Sequence, residues 1–153
     1  LSESLALFKN ALSGSTVKAN FVCHSLGHRV LKFSNDHTEL SSSLEPFDNV
    51  LLHQGDEDNE GHQDWISPIG DEDKVYVTTN EKDKVLELSN IYNHKSMKNN
   101  RLGNVPKPNY PQPPTYKDFT GTKNIGFSGH TIFLTSKNDN PEVYSFFQPI
   151  IGE

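Results

Sequence analysis

The sequence predicts an α/β domain whose mostly parallel sheet is covered by helices on both faces. Short apolar runs that suit buried strands alternate along the chain with longer amphipathic segments that suit helices. Parallel strands need such crossovers, and a parallel sheet is normally covered on both faces. The chain has 153 residues, enough for one domain with its own core, and shows no internal repeat.

Each element is predicted from the spacing of its apolar residues. Leu5, Phe8 and Leu12 recur at helical intervals, and Gly14 is placed to end the helix that they define. In chain order we expect a helix at 2–13, a strand at 17–23, a helix at 26–36, a strand at 48–54, a strand at 74–79, a helix at 84–92, a strand at 123–128 and a last helix at 140–147.

Three polar segments separate these elements. Residues 38–43 and the acidic stretch 55–64 are predicted to be loops. Residues 93–118 contain five prolines between Pro106 and Pro114, which favours an extended excursion. We therefore expect a single domain over 1–153, with this excursion either forming one lip of a substrate site or wrapping the surface.

Composition limits the classes of partner. Hydrophobic residues make up 33% and charged residues 22%, which is typical of a soluble globular domain. The net charge of -6 argues against nucleic acid and anionic lipid, because both need clustered Lys and Arg. No apolar run approaches the roughly 20 residues of a membrane span. Cys23, the single cysteine, excludes an internal disulfide and leaves the compartment open; we expect it to be a small buried residue.

Ser25 lies where the first predicted strand becomes a helix. A serine hydroxyl is a weak nucleophile until a neighbouring base takes its proton. A sharp strand-to-helix turn holds the hydroxyl clear of the backbone and directs the following amides toward developing negative charge. Such a turn needs small residues two positions before and after the serine, and Cys23 and Gly27 meet that need. The alternative is that Ser25 only caps the helix.

The chain order of the other candidates favours a catalytic triad. Reactive groups of parallel sheets gather at the carboxyl ends of strands. Asp83 follows the third predicted strand and His130 the fourth, in the order serine, acid, histidine. His130 would act as base and Asp83 would orient it. Asp56 also ends a strand and is a rival acid, while a surface histidine and a helix-capping carboxylate remain the simpler alternatives.

Four segments together resemble a known family: "CHSLGHRVL" at 23–31, "FDNVLLHQGDED" at 47–58, "KVYVTTNEKDKVLELS" at 74–89 and "RLG" at 101–103. They are similar to a bacterial α/β-hydrolase family of unknown function that is related to lipases and esterases. The resemblance covers about residues 1–103, and His130 extends it. It implies an α/β-hydrolase-like fold with Ser25 as nucleophile, Asp83 as acid and His130 as base, and no cofactor.

The chain departs from that family in three respects. His28 stands where the family often has Asn, and Gln54-Gly55 replaces a more apolar, proline-bearing pair. The strands that precede the nucleophile strand are absent, and with them the source of a second oxyanion donor beside the Leu26 N–H. We therefore expect the carboxyl-terminal part of the fold, with an exposed edge strand that a missing amino-terminal half or another chain completes.

Metal binding is a weaker alternative. Residues 56–61 partly match a calcium loop, but Ser67 stands at the twelfth position, where a Glu is expected. His53, Asp56, Asp58 and His62 are of types that ligate transition metals. A solvated acidic loop explains the same residues, so we predict no metal and no cofactor.

The sequence thus predicts a serine hydrolase that cleaves an ester or related acyl bond of a small molecule through an acyl-enzyme. His24 and Asp56 are candidate pocket residues. The main alternative is a non-catalytic binding or assembly module that keeps the fold. A calcium-dependent interaction module is a third possibility, and the sequence does not identify the acyl substrate.

Overall fold

Four parallel strands form the centre of the computed structural model, which describes residues 2–37, 44, 47–94, 100–105 and 113–152. The strands are β1 (Asn20–His24), β2 (Asn49–His53), β3 (Val75–Thr79) and β4 (Thr115–Asp118), in spatial order β1-β2-β3-β4. The helices are α1 (Ser2–Leu12), α2 (Gly27–His37), α3 (His62–Ile66), α4 (Lys84–His94) and α5 (Pro141–Ile151). The predicted α/β class with a parallel sheet is confirmed.

The apolar runs of the strands are explained by cover on both faces of the sheet. Because side chains alternate along a strand, Leu51 and Leu52 of β2 point to opposite faces, and both are fully buried. Leu52 belongs to a core shared with the first three helices, through Leu5, Leu31, Trp65 and Ile66. Leu51 belongs to a second core shared with α5, through Val143, Phe147 and Ile150. The helices α2 and α3, which link the first three strands, therefore lie on the Leu52 face, as the rule of right-handed crossovers predicts for strands in sequential order.

The strand register brings four strand ends to one edge of the sheet. His24 is paired with His53, His53 with Thr78, and Thr79 with Asp118. The turns that follow β1, β2 and β3 therefore lie side by side, and they carry Ser25, Asp56 and Asp83.

The fourth strand was predicted in the wrong place. Residues 123–128 form turns instead, because Asn124 and Gly126 have positive φ angles of 57° and 80°, which a strand does not accommodate. β4 instead lies at 115–118, within the predicted excursion. It was missed because it is short and polar, and as an outer strand it pairs only with β3 among the described residues.

The remaining element predictions agree with the structure to within a few residues, except that α3 falls at the end of the predicted acidic loop and was not expected. Residues 102–104 of the predicted excursion form a buried 3-10 turn. The predicted loop at 38–43 lies outside the described residues, as do 95–99 and 106–112. Within the described ranges, no helix is both long and apolar enough to cross a bilayer.

Candidate active site

Ser25 occupies a strained turn between β1 and α2. Its φ of 53° lies in the left-handed region, which residues other than glycine seldom adopt. Its N–H donates to the His53 carbonyl at 3.2 Å, and its own carbonyl accepts from the Asp56 N–H at 3.0 Å. The turn is thus held against the end of β2, and such maintained strain is found mostly at functional sites.

The small residues on either side of Ser25 are in contact, as the predicted turn requires. A Cβ added at Gly27 would lie 3.2 Å from Cys23 Sγ, closer than most such contacts. Cys23 is buried, and burial raises the pKa of its thiol to about 12. Cys23 therefore stays a thiol at neutral pH and acts as a small packing residue.

Asp83 and His130 form a buried hydrogen-bonded pair. His130 Nδ1 donates to Asp83 Oδ2 at 2.7 Å, and both side chains are buried. Because the carboxylate only accepts, Nδ1 carries the proton and Nε2 of the neutral ring is left with a lone pair, as a general base requires. His130 is therefore not a surface loop histidine.

Asp83 also caps α4. Its Oδ1 accepts from the N–H groups of Val85 and Leu86, both at 3.0 Å. The two interpretations of Asp83 from the sequence are thus compatible, since one oxygen caps the helix and the other orients His130.

Gln54 is a site residue that sequence reasoning missed. It directly follows β2, is fully buried and has a φ of 44°. Its Nε2 donates to Asp83 Oδ2 at 2.7 Å and also to the Gly129 carbonyl. Its position in the sequence was the available signal. Gln54 is the first residue after β2, just as Ser25 is the first residue after β1.

The loop that carries His130 is fixed by further contacts. Asn80 Nδ2 donates to the Gly129 carbonyl at 2.9 Å, and Gly129 has a φ of 63°. His24 Nε2 lies 2.9 Å from the His130 carbonyl, and the two rings have centroids 4.6 Å apart. Since a carbonyl only accepts, Nε2 of His24 is the donor. Burial lowers the pKa of His24, which favours the neutral ring. His24 therefore supports the base loop.

The structure brings Asp83 and His130 into direct contact, and Ser25 only near them. In the parts of the chain described, no hydrogen bond joins Ser25 Oγ to His130 Nε2. Ser25 is linked to the pair through its neighbour His24. In ligand-free enzymes the bond between nucleophile and base is often long, and it shortens when substrate binds.

The Leu26 N–H suits the predicted role of oxyanion donor. It lies directly before α2, next to backbone N–H groups that have no partner in the helix, and it has no acceptor among the described residues. β1 has a hydrogen-bonded neighbour only in β2 within the same ranges. A second donor from an adjoining strand is therefore not present in the described chain.

Asp56 is not placed as the triad acid. Its carboxylate accepts from Ser89 Oγ at 2.6 Å and pairs with Arg29 at 3.4 Å. The buried Arg101 Nε lies 3.2 Å from Asp56 Oδ1 without the geometry of a hydrogen bond. Asp56 thus faces cations, and its backbone N–H holds the Ser25 turn.

The acidic loop is paired with cations that the chain itself supplies. Arg101 binds Asp58 at 2.7 Å, and Lys32 binds Glu57 at 3.1 Å. The histidines of the transition-metal alternative have other partners: His53 Nδ1 lies 2.6 Å from Thr78 Oγ1. Across the described residues, no group of three or more His, Cys, Asp or Glu side chains is placed to hold a metal ion. The structure therefore adds no support to the calcium loop or to the transition-metal site.

Comparisons with known proteins do not extend the resemblance. No protein-family model, no curated protein and no solved structure gives a significant match to the chain. Membership of the α/β-hydrolase family therefore stays a prediction, based on the four sequence segments quoted above.

Proposed function

We propose that this protein is a serine hydrolase of the α/β-hydrolase type, which cleaves an ester or related acyl bond of a small molecule. The observation that carries the proposal is the buried hydrogen bond of 2.7 Å between His130 Nδ1 and Asp83 Oδ2. It lies at the sheet edge where the strained turn presents Ser25. A base oriented by a buried acid, close to a half-buried strand-to-helix serine, is the arrangement that activates a hydroxyl.

The reaction follows from the roles of these groups. His130 Nε2 takes the Ser25 Oγ proton as Oγ bonds to the acyl carbon, and the resulting oxyanion accepts from the Leu26 N–H. The intermediate collapses, and His130 gives the proton to the departing alkoxide. Water then attacks the acyl-enzyme with His130 again as base, which releases the acid and restores Ser25. Asp83 stabilises the charged ring in both steps, and no cofactor is needed.

A second candidate function is a binding or assembly module, and a specific surface favours it. Val30 and Phe33 of α2 and Leu26, directly before it, follow helical spacing and are 53%, 64% and 55% exposed. Val22 of the adjoining edge strand β1 is 41% exposed. An apolar helix stripe beside a parallel edge that no described strand covers suits a further strand and helix, from another segment or another chain. Such a partner would also be positioned to supply the second oxyanion donor.

Covalent labelling with a fluorophosphonate probe tests the catalytic proposal. Intact mass and peptide mapping are expected to show a single adduct on Ser25. The adduct should be absent in Ser25→Ala, and its rate of formation should fall by a hundredfold or more, roughly, in His130→Ala. Ser13→Ala, which removes an exposed serine of the loop after α1, is the matched control and should label normally.

The outcome separates the two candidates. No adduct on a folded sample, or labelling that survives in Ser25→Ala, contradicts the proposed hydrolase. A folded but unlabelled protein that self-associates or captures a strand-bearing partner would support the assembly module.

A further inference from the structure

We propose that Gln54 is a positioning residue, which holds the Asp83–His130 pair in its reactive geometry through its side-chain amide. The inference rests on the proposed hydrolase function and deepens it. It concerns a residue at which this chain departs from the family that it resembles, so it is argued from the contacts of Gln54 itself.

The orientation of the Gln54 amide is determined by its neighbours. The two groups that its Nε2 contacts are the Asp83 carboxylate and the Gly129 carbonyl, and both can only accept hydrogen bonds. The NH₂ group must therefore point toward them. A flipped amide would place its oxygen against two acceptors, so the assignment does not depend on telling nitrogen from oxygen.

Three unfavourable features are maintained at this residue. Its backbone has a φ of 44°, and among the described residues its buried Oε1 makes no hydrogen bond of good geometry, although the Gln54 side chain interacts with the buried His53 ring. A Cβ at Gly103 would lie 2.5 Å from Gln54 Cα, so only glycine permits the approach of that segment. Each feature costs stability. Their persistence is explained if the donor that they hold in place has a function.

The amide acts on both members of the pair. Asp83 Oδ2 accepts from His130 Nδ1 and from Gln54 Nε2, each at 2.7 Å, so two donors fix the position of this oxygen. The second proton of the amide fixes the Gly129 carbonyl, one residue before His130. When His130 becomes charged during the reaction, the carboxylate that stabilises it is already in place and needs no reorganisation.

Two substitutions that keep the size of the Gln54 side chain test whether its hydrogen-bond donor or only its volume is needed. Gln54→Met keeps the length and removes the donor, and we expect Ser25 labelling to slow by about tenfold to a hundredfold. Gln54→Glu can donate only while it is protonated. Its labelling rate relative to the original protein should therefore fall as pH rises, whereas the ratio for Gln54→Met should not change with pH. Gln63→Met, on α3, is the matched control and should label normally.

A second readout does not depend on catalysis. In ¹⁵N-edited NMR, we expect the His130 Nδ1 proton to exchange with water at least about tenfold faster in Gln54→Met, because one of the groups holding its acceptor is lost. Circular dichroism establishes that each variant is folded.

The outcomes distinguish this inference from the proposed function. If the original protein labels at Ser25, and folded Gln54→Met labels at the same rate with unchanged exchange at His130, the positioning role is wrong and the hydrolase stands. If the original protein does not label, the hydrolase proposal fails, and the exchange rate alone decides whether Gln54 orders the pair. If Gln54→Met does not fold, the pH dependence of Gln54→Glu decides, and a ratio that does not vary with pH overturns the inference.

Discussion

His28 is expected to make the fold sensitive to acid. Its ring is fully buried, with Nδ1 3.0 Å from the Ser25 carbonyl and the ring facing Trp65 edge-on. Burial lowers the pKa of His28 from 6.5 to about 4, the bond to Ser25 partly offsets this, and the nearby His24 lowers it further. The folded protein therefore keeps this ring neutral at pH values where the unfolded chain binds a proton.

The direction and size of the effect follow from linkage. Because the pKa of His28 is lower in the folded state, its contribution to stability is fully present above about pH 6.5 and is lost as pH falls toward about 4. A difference of about 2.5 between the two pKa values corresponds to about 3 kcal/mol of unfolding free energy. Burial also lowers the pKa values of His24, His53 and His62, so they act in the same direction.

Urea unfolding followed by Trp65 fluorescence, repeated between neutral pH and about pH 4, measures this effect. The original protein and His28→Asn are compared, because Asn keeps a polar side chain at this position but does not titrate. Over this range we expect the unfolding free energy of His28→Asn to fall by up to about 3 kcal/mol less than that of the original protein. The pH dependence that remains in the variant comes from the other histidines. Equal acid-induced losses in both proteins would refute the burial of a neutral His28.

Further substitutions test the packing around the site, each by urea titration at neutral pH. Gly103→Ala should lower the unfolding free energy by about 3 kcal/mol, because the added Cβ would lie 2.5 Å from the backbone of the turn after β2. Asp56→Asn should cost about 1.5 kcal/mol, since the buried Arg101 loses one of its two carboxylate neighbours and keeps Asp58. Phe119→Ala should cost about 4 kcal/mol, whereas Phe127→Ala, at a fully exposed position, should change stability by less than about 0.5 kcal/mol. Similar losses for the two phenylalanines would contradict the assigned core.

The sequence predicted those parts of the site that depend on chain order and local spacing. Cys23, Ser25 and Gly27 are close in sequence, so a strand followed by a helix is enough to define their turn. Asp83 and His130 were predicted because each was expected to follow a strand. The strand expected directly before His130 was wrong, since residues 123–128 form turns and the strand that precedes His130 along the chain is β4.

Contacts between distant segments were beyond sequence reasoning. Nothing in the sequence shows that Gln54 donates to Asp83, that His24 supports the His130 loop, or that Arg101 neutralises Asp56. Asp56 and Gln54 are equally polar whether they lie in a solvated loop or in a buried hydrogen-bond network, so their residue types do not distinguish the two. Only the positions of their partners distinguish the two.

The sequence by itself determined the α/β class, three of the four strands and the turn that presents Ser25, because hydrophobic periodicity and small-residue spacing are local properties. The tertiary structure decided which carboxylate meets His130, where the fourth strand pairs, and which polar residues are buried. Those outcomes depend on strand register and on the burial of charges. Both arise only when segments far apart in the chain pack against one another.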